Sequence, residues 1–164
     1  MTLVVSDTSP LNYLILIDHQ GVLPQLFDSV VIPKQVFEEL SHPKASAKVR
    51  AWLGNLPAWL RVDGRPLVGQ FPDLDDGENH ALTLALELGT RAVLMDERLG
   101  RKKAVEVGLE PFGVVGVLEA ASAKGFIQLA AAFDELKKTN YRIEQRYLDE
   151  ALKRDLELSR SRNL

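Results

Sequence analysis

The amino-acid sequence predicts a three-layer α/β/α sandwich built on a central parallel sheet. Three apolar runs, at residues 3–5, 30–32 and 92–95, have the length and composition of buried strands. Helical patterns separate these runs and the connections are short, which favours parallel strands with helices on both faces of the sheet. The length of 164 residues fits one domain of this kind.

Helix and strand signals in the first half of the chain follow the same alternation. After the first strand, Ser9 and Pro10 predict a helix with Ser9 as its cap and Pro10 at its first position. After the second strand, Pro33 predicts the start of another helix. Residues 44–53 predict a polar helix, and residues 57–62 predict a short irregular strand.

The second half begins with a helix that carries three acids in its first turn and ends at Gly89. A buried strand, a helix, a short edge strand and two more helices are then predicted. In chain order these elements are residues 75–88, 92–95, 98–107, 110–112, 114–123 and 129–137.

The composition changes after Asn140. We expect residues 1–140 to form one domain and residues 141–164 to form an appended charged helix. That helix is either part of the same structural unit or a contact for a partner chain. Its apolar row, Leu148, Leu152 and Leu156, has the i, i+4 spacing of such a contact.

Overall composition excludes several classes of function. The net charge of −3 argues against a protein that coats nucleic acid non-specifically. Without cysteine there is no disulfide framework, thiolate zinc site or cysteine nucleophile. No apolar stretch reaches the ~20 residues of a spanning helix, and the first residues lack the pattern of a signal peptide, so we expect a cytoplasmic protein.

Four acids have a common position relative to the predicted strands. Asp7 and Asp96 each end an apolar strand, Glu78 begins a helix, and Glu39 nearly ends one. Because the carboxyl ends of parallel strands share one edge, we expect these side chains to converge there. Gathered carboxylates repel one another unless they share a cation, and oxygen ligands without cysteine favour Mg²⁺ or Mn²⁺ over zinc.

Each acid also has an ordinary interpretation. Asp7 could hydrogen-bond the turn that follows its strand, and Asp96 could cap the next helix. Glu78 could be stabilised by the helix dipole, and Glu39 could be exposed to solvent. The metal hypothesis therefore depends on the conjunction of the four residues.

The sequence around these acids resembles the motif blocks of PIN-domain proteins. In particular it resembles the DUF3368 branch, which is related to the VapC ribonuclease toxins of prokaryotic toxin–antitoxin pairs. The matching segments are residues 5–11, 32–40, 74–85 and 94–101, followed by residues 113–121 and 123–127. The resemblance implies a PIN-like, Rossmann-like α/β/α sandwich and a Mg²⁺- or Mn²⁺-dependent endoribonuclease.

By motif position, the resemblance implies that Asp7, Glu39, Glu78 and Asp96 form the catalytic, metal-binding quartet. Glu78 stands where many PIN domains have aspartate, which moves the carboxylate by about one methylene group. Glu97 directly follows Asp96, so either could be the fourth ligand, and Asp96 is favoured because the strand ends there.

Other residues near the quartet are expected to assist it. The possible contacts to water or metal are Thr8, Ser9, Asp75 and Glu97.

The implied reaction is attack on an RNA phosphodiester by a metal-activated water. Arg98, Arg101 and Lys102 follow the site and are expected to hold RNA phosphates, although a solvated helix face would look the same. An antitoxin protein and a second copy of the chain are the expected protein partners.

Other classes of protein match less well. A phosphatase of the haloacid-dehalogenase type needs a second aspartate two residues after the first, where this chain has Ser9. Neither Gly-x-Gly-x-x-Gly nor a P-loop pattern is present. The alternative that stays open is a PIN-like protein-binding module with little or no metal, which would use residues 141–164 for an antitoxin or for self-association.

Overall fold

The computed structural model describes residues 2–163, in which five strands form one parallel sheet. The strands are β1 (Leu3–Ser6), β2 (Ser29–Pro33), β3 (Leu60–Asp63), β4 (Ala92–Leu94) and β5 (Glu110–Phe112). Their order is β3-β2-β1-β4-β5, and all neighbours pair in parallel. The predicted fold class is confirmed.

Helices follow every strand, as the crossover connections of a parallel sheet require. A short 3₁₀ turn at Gln20–Val22 precedes the second helix. The helices of the described residues are α1 (Thr8–Leu16), α2 (Leu23–Leu26), α3 (Lys34–Leu40), α4 (Ala47–Leu53), α5 (Asp76–Leu88), α6 (Arg98–Glu106), α7 (Val114–Ala123), α8 (Leu129–Lys137) and α9 (Gln145–Arg162).

Alternation along the strands divides the interior into two apolar cores. Val4 of β1 packs in the core formed with α1, α7, α8 and α9, whereas its neighbour Val5 packs in the core formed with α5. Successive side chains of a strand point to opposite faces, so each face of the sheet is covered by its own helix layer. This arrangement is the three-layer sandwich.

Two predicted helix starts are wrong. The first helix begins at Thr8, with Asp7 in extended conformation as its N-cap, rather than at Pro10 after Ser9. Pro10 is tolerated in the first turn because backbone N–H groups there have no partner within the helix. The helix predicted from residue 44 begins at Ala47, because Lys44 and Ala45 donate their N–H groups to His42 and form a turn.

The C-terminal helix packs on its own chain. Leu148 is only 2% exposed and Leu152 is partly buried against the same core, whereas Leu156 is 58% exposed. The interpretation of this row as a partner contact is therefore wrong for Leu148 and Leu152. The first residue of the predicted domain 1–140 and the last of the predicted segment 141–164 lie outside the described residues.

Within residues 2–163, no helix combines the length and the apolar composition needed to cross a membrane.

Replacing Leu148 tests whether α9 belongs to the core. We expect Leu148→Ala to lower the free energy of unfolding by about 2–5 kcal/mol, because it leaves a cavity between packed helices. Leu156→Ala, on the same helix but exposed, should change it by less than about 0.5 kcal/mol. Urea unfolding of both variants measures the difference, and equal effects would contradict the packing of α9.

Candidate metal centre

The candidate site lies where the strand order reverses. β1 lies between β2 and β4, and the crevice outside the carboxyl ends of such strands is the usual ligand site of open parallel sheets. Asp7 directly follows β1, and its backbone N–H donates to the carbonyl oxygen of Leu94 at 2.9 Å. Asp96 follows β4 by two residues. The two neighbouring strands therefore deliver both aspartates to one edge.

The start of α5 approaches this edge closely. Asp75 is the N-cap, and its side chain accepts the backbone N–H of Glu78 at 2.9 Å. A Cβ atom built on Gly77 would lie 2.7 Å from Glu39 Oε2 and 3.0 Å from Asp7 Oδ1. Real Cβ atoms essentially never lie closer than 3.0 Å to another atom, so a side chain at position 77 would displace the Glu39 carboxylate, and glycine lets the backbone approach both carboxylates as they stand.

Burial and mutual repulsion disfavour the charged forms of these acids. Asp7 is 3% exposed, and burial raises its pKa to about 8, opposed by the Thr8 backbone N–H and reinforced by nearby carboxylates. Burial and the charge of Asp75 raise the pKa of Glu78 to about 7. Burial also raises the pKa of Glu39. A cation shared among them would relieve this repulsion.

One hydroxyl group of the first turn of α1 contacts an acid, and a second lines a cavity beside another. Thr8 Oγ1 donates to Glu39 Oε2, which connects α1 to α3 and opposes the rise of the Glu39 pKa. Ser9 lines a cavity together with Asp96 and Glu97. Thr8 therefore orients a carboxylate, while Ser9 shares a cavity with the fourth acid.

Asp96 has different surroundings from the other three acids. Its Oδ1 accepts the Val114 backbone N–H at 2.9 Å and the Tyr141 hydroxyl at 2.8 Å. Burial raises the pKa of Asp96, and these two bonds oppose the rise. Its Oδ2 is buried and has no hydrogen-bond partner among residues 2–163. One oxygen is thus fixed, and the other is left with no partner.

Glu97 lies near both groups of acids. It is the exposed N-cap residue of α6, and its charge raises the pKa values of both Glu78 and Asp96. The structure brings Asp7, Glu39 and Glu78 together with Asp75, and it places Asp96 beside Tyr141. Either Asp96 or Glu97 could complete the set, as the sequence left open.

The acids fit a small hard cation in donor type and in charge. They supply carboxylate oxygens, Asp7 and Glu78 are buried, and Asp96 contributes an oxygen that has no hydrogen-bond partner within residues 2–163. As the side chains stand in residues 2–163, however, no three His, Cys, Asp or Glu residues are already placed to hold an ion. The type and charge of the donor groups therefore suit a cation, but their positions do not yet surround one. The carboxylate side chains would have to move when a metal ion binds.

The three basic residues predicted to contact RNA are placed differently. Arg98 is exposed at the start of α6 and makes no ion pair among residues 2–163. Arg101 donates from Nη1 to the Met95 carbonyl oxygen at 3.1 Å. Its positive charge opposes the rise that burial causes in the pKa of Asp96. Lys102 is exposed on the same helix.

Sequence reasoning missed two important residues. Gly77 carried a signal, because a glycine between the acids of a helix N-terminus is costly unless close backbone approach requires it. Tyr141 carried none, because it lies 45 residues from Asp96 in the chain. Its ring also packs edge-on against Tyr13, with centroids 4.9 Å apart.

The fold and the acidic edge define a PIN-like α/β protein, and comparison with known families agrees. The family model DUF3368, described as PIN domain, matches residues 3–157, so the chain belongs to this family of PIN domains and the predicted resemblance is confirmed. PIN domains are commonly nucleases, and they generally bind RNA and use divalent metals.

Comparison with individual proteins adds the following. Among solved structures, the chain is similar to a PilT N-terminus domain protein from the hyperthermophilic archaeon Sulfolobus solfataricus P2. The two share 16% identity with a TM-score of 0.49, over 74% of this chain and 93% of the other. No curated protein matches the chain.

The raised pKa values predict a pH dependence of stability. Between about pH 4 and pH 8, the folded protein holds protons on Asp7 and Glu78 that the unfolded chain has released. Without divalent metal, the free energy of unfolding should therefore fall as the pH rises through this range. Urea unfolding in EDTA at several pH values measures the slope.

Two substitutions provide the comparison for this prediction. Asp7→Asn should flatten the slope, whereas Asp134→Asn, at an exposed position of α8, should leave it unchanged. A wild-type slope in Asp7→Asn would contradict the assigned environment of Asp7.

Proposed function

We propose that this PIN-domain protein is a metal-dependent endoribonuclease of the VapC-toxin type. The observation that carries the proposal is the close approach at Gly77, which packs the carboxylates of Asp7 and Glu39 against one turn of backbone. Glu78 follows directly and is itself 6% exposed. A structural role accounts poorly for this arrangement, because the buried carboxyl groups of Asp7 and Glu78, with Glu39 beside them, ionise only at a cost unless they share a cation.

In this proposal Asp7, Glu39 and Glu78 hold Mg²⁺ or Mn²⁺ together with Asp96 or Glu97. When bound, the divalent ion supplies Lewis acidity at the phosphodiester and lowers the pKa of a water for attack on phosphorus. Membership of the PIN family supports the choice of a divalent metal and of RNA.

The protein's own residues orient the ligands. Thr8 Oγ1 holds one oxygen of Glu39, and Tyr141 with the Val114 N–H holds Oδ1 of Asp96. Asp96 Oδ2 is then the oxygen that accepts no hydrogen bond from any described residue. Arg98, Arg101 and Lys102 are the proposed phosphate contacts, with charge-assisted hydrogen bonds as their contribution.

Charge-removing substitutions test the nuclease. With Mn²⁺ and single-stranded RNA, Asp7→Asn, Asp96→Asn and Glu39→Gln should each lower the cleavage rate by about 100-fold or more, since each removes an anionic ligand. Cleavage is followed on a labelled RNA by gel electrophoresis.

Glu38→Gln is the matched control for Glu39→Gln. Glu38 is the exposed neighbour on α3, and within residues 2–163 its one ion pair is with Lys34 at 3.6 Å, so its removal should leave the rate unchanged. Full residual cleavage by both Asp7→Asn and Asp96→Asn would remove the nuclease proposal.

A second candidate is a PIN-like module that binds an antitoxin or a second copy of the chain and holds little or no metal. The observation that favours it is that, within residues 2–163, no three acidic side chains stand in positions from which they could hold a metal ion. Leu156 and Leu158 of α9, 58% and 53% exposed, would then contribute to the contact.

Calorimetric titration with Mn²⁺ separates the two candidates. The nuclease should release or absorb heat on binding, and Asp7→Asn should abolish that signal while Asp134→Asn preserves it. The binding module should give no heat that depends on the carboxylates.

A further inference from the structure

A cleft extends from Asp96 toward the start of α9. Three adjoining cavities, of about 550, 800 and 540 Å³, form it, and each is large enough to hold a small molecule. Arg98, Tyr141 and Arg142 line all three. The cavities are therefore parts of one cleft arranged around these residues.

The cleft reaches the candidate metal centre at Asp96 and Glu97. The cavity at this end is lined by Ser9, Asp96 and Glu97 in addition to the shared residues. The cavity at the other end is lined by Tyr147 together with Arg146. A nucleic-acid strand with a phosphate held near Asp96 would continue along the cleft toward Tyr147.

Two arginines of the cleft are free to bind an anion. Arg146 is paired with Glu144 at 2.9 Å, and Arg154 is paired with Glu119 at 3.0 Å. In contrast, Arg98 and Arg142 are both exposed, and neither makes an ion pair or a hydrogen bond within residues 2–163. Although carboxylates such as Glu97 and Glu150 also line the cleft, Arg98 and Arg142 are the exposed arginines of its lining whose guanidinium groups hold no partner within the described residues.

An aromatic ring lies beyond the two arginines. Tyr147 is 45% exposed and lines two of the cavities. The Arg146 guanidinium lies 4.8 Å from the centre of its ring, which supports the ring by a cation–π contact. An exposed, supported ring beside free arginines has the features of a platform on which a nucleic-acid base stacks.

We propose that this cleft is a subsite for single-stranded RNA next to the cleavage position, with a base stacked on Tyr147 and phosphates bound by Arg142 and Arg98. The inference rests on the proposed function and adds a place and a strand type to it. Single-stranded RNA is favoured because bases in a duplex are already stacked on one another and cannot reach a protein ring.

Fluorescence anisotropy with a labelled oligouridylate in EDTA tests the stacking contact. Tyr147→Ala should weaken binding by about 10-fold, within the range found when a stacked base loses its ring, whereas Tyr147→Phe should retain it. Phe126→Ala is the matched control, because Phe126 is equally exposed, at 46%, and lines a different cavity. An abasic version of the oligomer should bind wild type and Tyr147→Ala alike.

The phosphate contact is tested separately by its salt dependence. Arg142→Ala should weaken binding of both the ordinary and the abasic oligomer and lower the slope of log affinity against log salt by about 0.7. Arg160→Ala is the control. It removes an exposed arginine that lies in the last turn of α9 and does not line the cleft, and it should change neither the affinity nor the salt slope.

Three results would overturn the subsite. These are unchanged affinity in Tyr147→Ala and Arg142→Ala, equal loss by Tyr147→Ala on the abasic oligomer, and displacement of the RNA by polyglutamate as efficiently as by unlabelled RNA. Wild-type protein that binds RNA through the cleft but does not cleave it with Mn²⁺ would overturn the proposed nuclease and leave the subsite standing. Conversely, cleavage by Tyr147→Ala and Arg142→Ala at the wild-type rate would overturn the subsite and leave the proposed nuclease standing.

Discussion

The contact between the first turn of α5 and the end of β1 is the constraint on which the candidate site depends. It places Asp7 and Glu39 against the backbone of Gly77, with Asp75 at the N-cap of α5 and Glu78 directly after the glycine. The N-terminus of α5 compensates part of this negative charge, because its free N–H groups and dipole favour anions. The compensation is incomplete, since the pKa of Asp7 still rises to about 8. The sequence therefore retains an electrostatic cost, which the folded chain relieves by keeping a proton on Asp7 and which a bound cation would also relieve.

Asp96 lies in a more compensated environment than the other acids. A helix N-terminus, a phenol and an arginine all stabilise its charge, through Val114, Tyr141 and Arg101. The phenol comes from the segment before α9, whose Leu148 is buried in the core. The packing of α9 thus helps to hold Tyr141 in place, and Tyr141 orients the Asp96 carboxylate at the carboxyl edge of the sheet. For this reason the C-terminal helix cannot be treated as independent of the site.

The sequence predicted what short-range patterns determine. Apolar runs located the central strands, and their polar ends located Asp7 and Asp96, because strand burial and strand ends leave clear local signals. Other features depend on distant partners and have no such signal. Local sequence allows Asp96 as a cap of the following helix, yet in the structure Asp96 accepts the first N–H of α7, and Glu97 takes the N-cap position of α6. The hydrogen bond from Thr8 to Glu39 likewise joins two helices that sequence periodicity treats separately.

The distribution of charge along the chain follows from this architecture. The first 100 residues carry 8 basic and 13 acidic side chains, and the remaining residues carry 12 and 10. The acids of the sheet edge belong to the first part, whereas Tyr141, Arg142 and Tyr147 of the cleft belong to the second. The two parts meet where α6 begins, with Asp96 and Arg98 two residues apart. The basic second part would attract a polyanion, and the acidic first part would hold it through a bound cation. A net charge of −3 is therefore compatible with binding RNA.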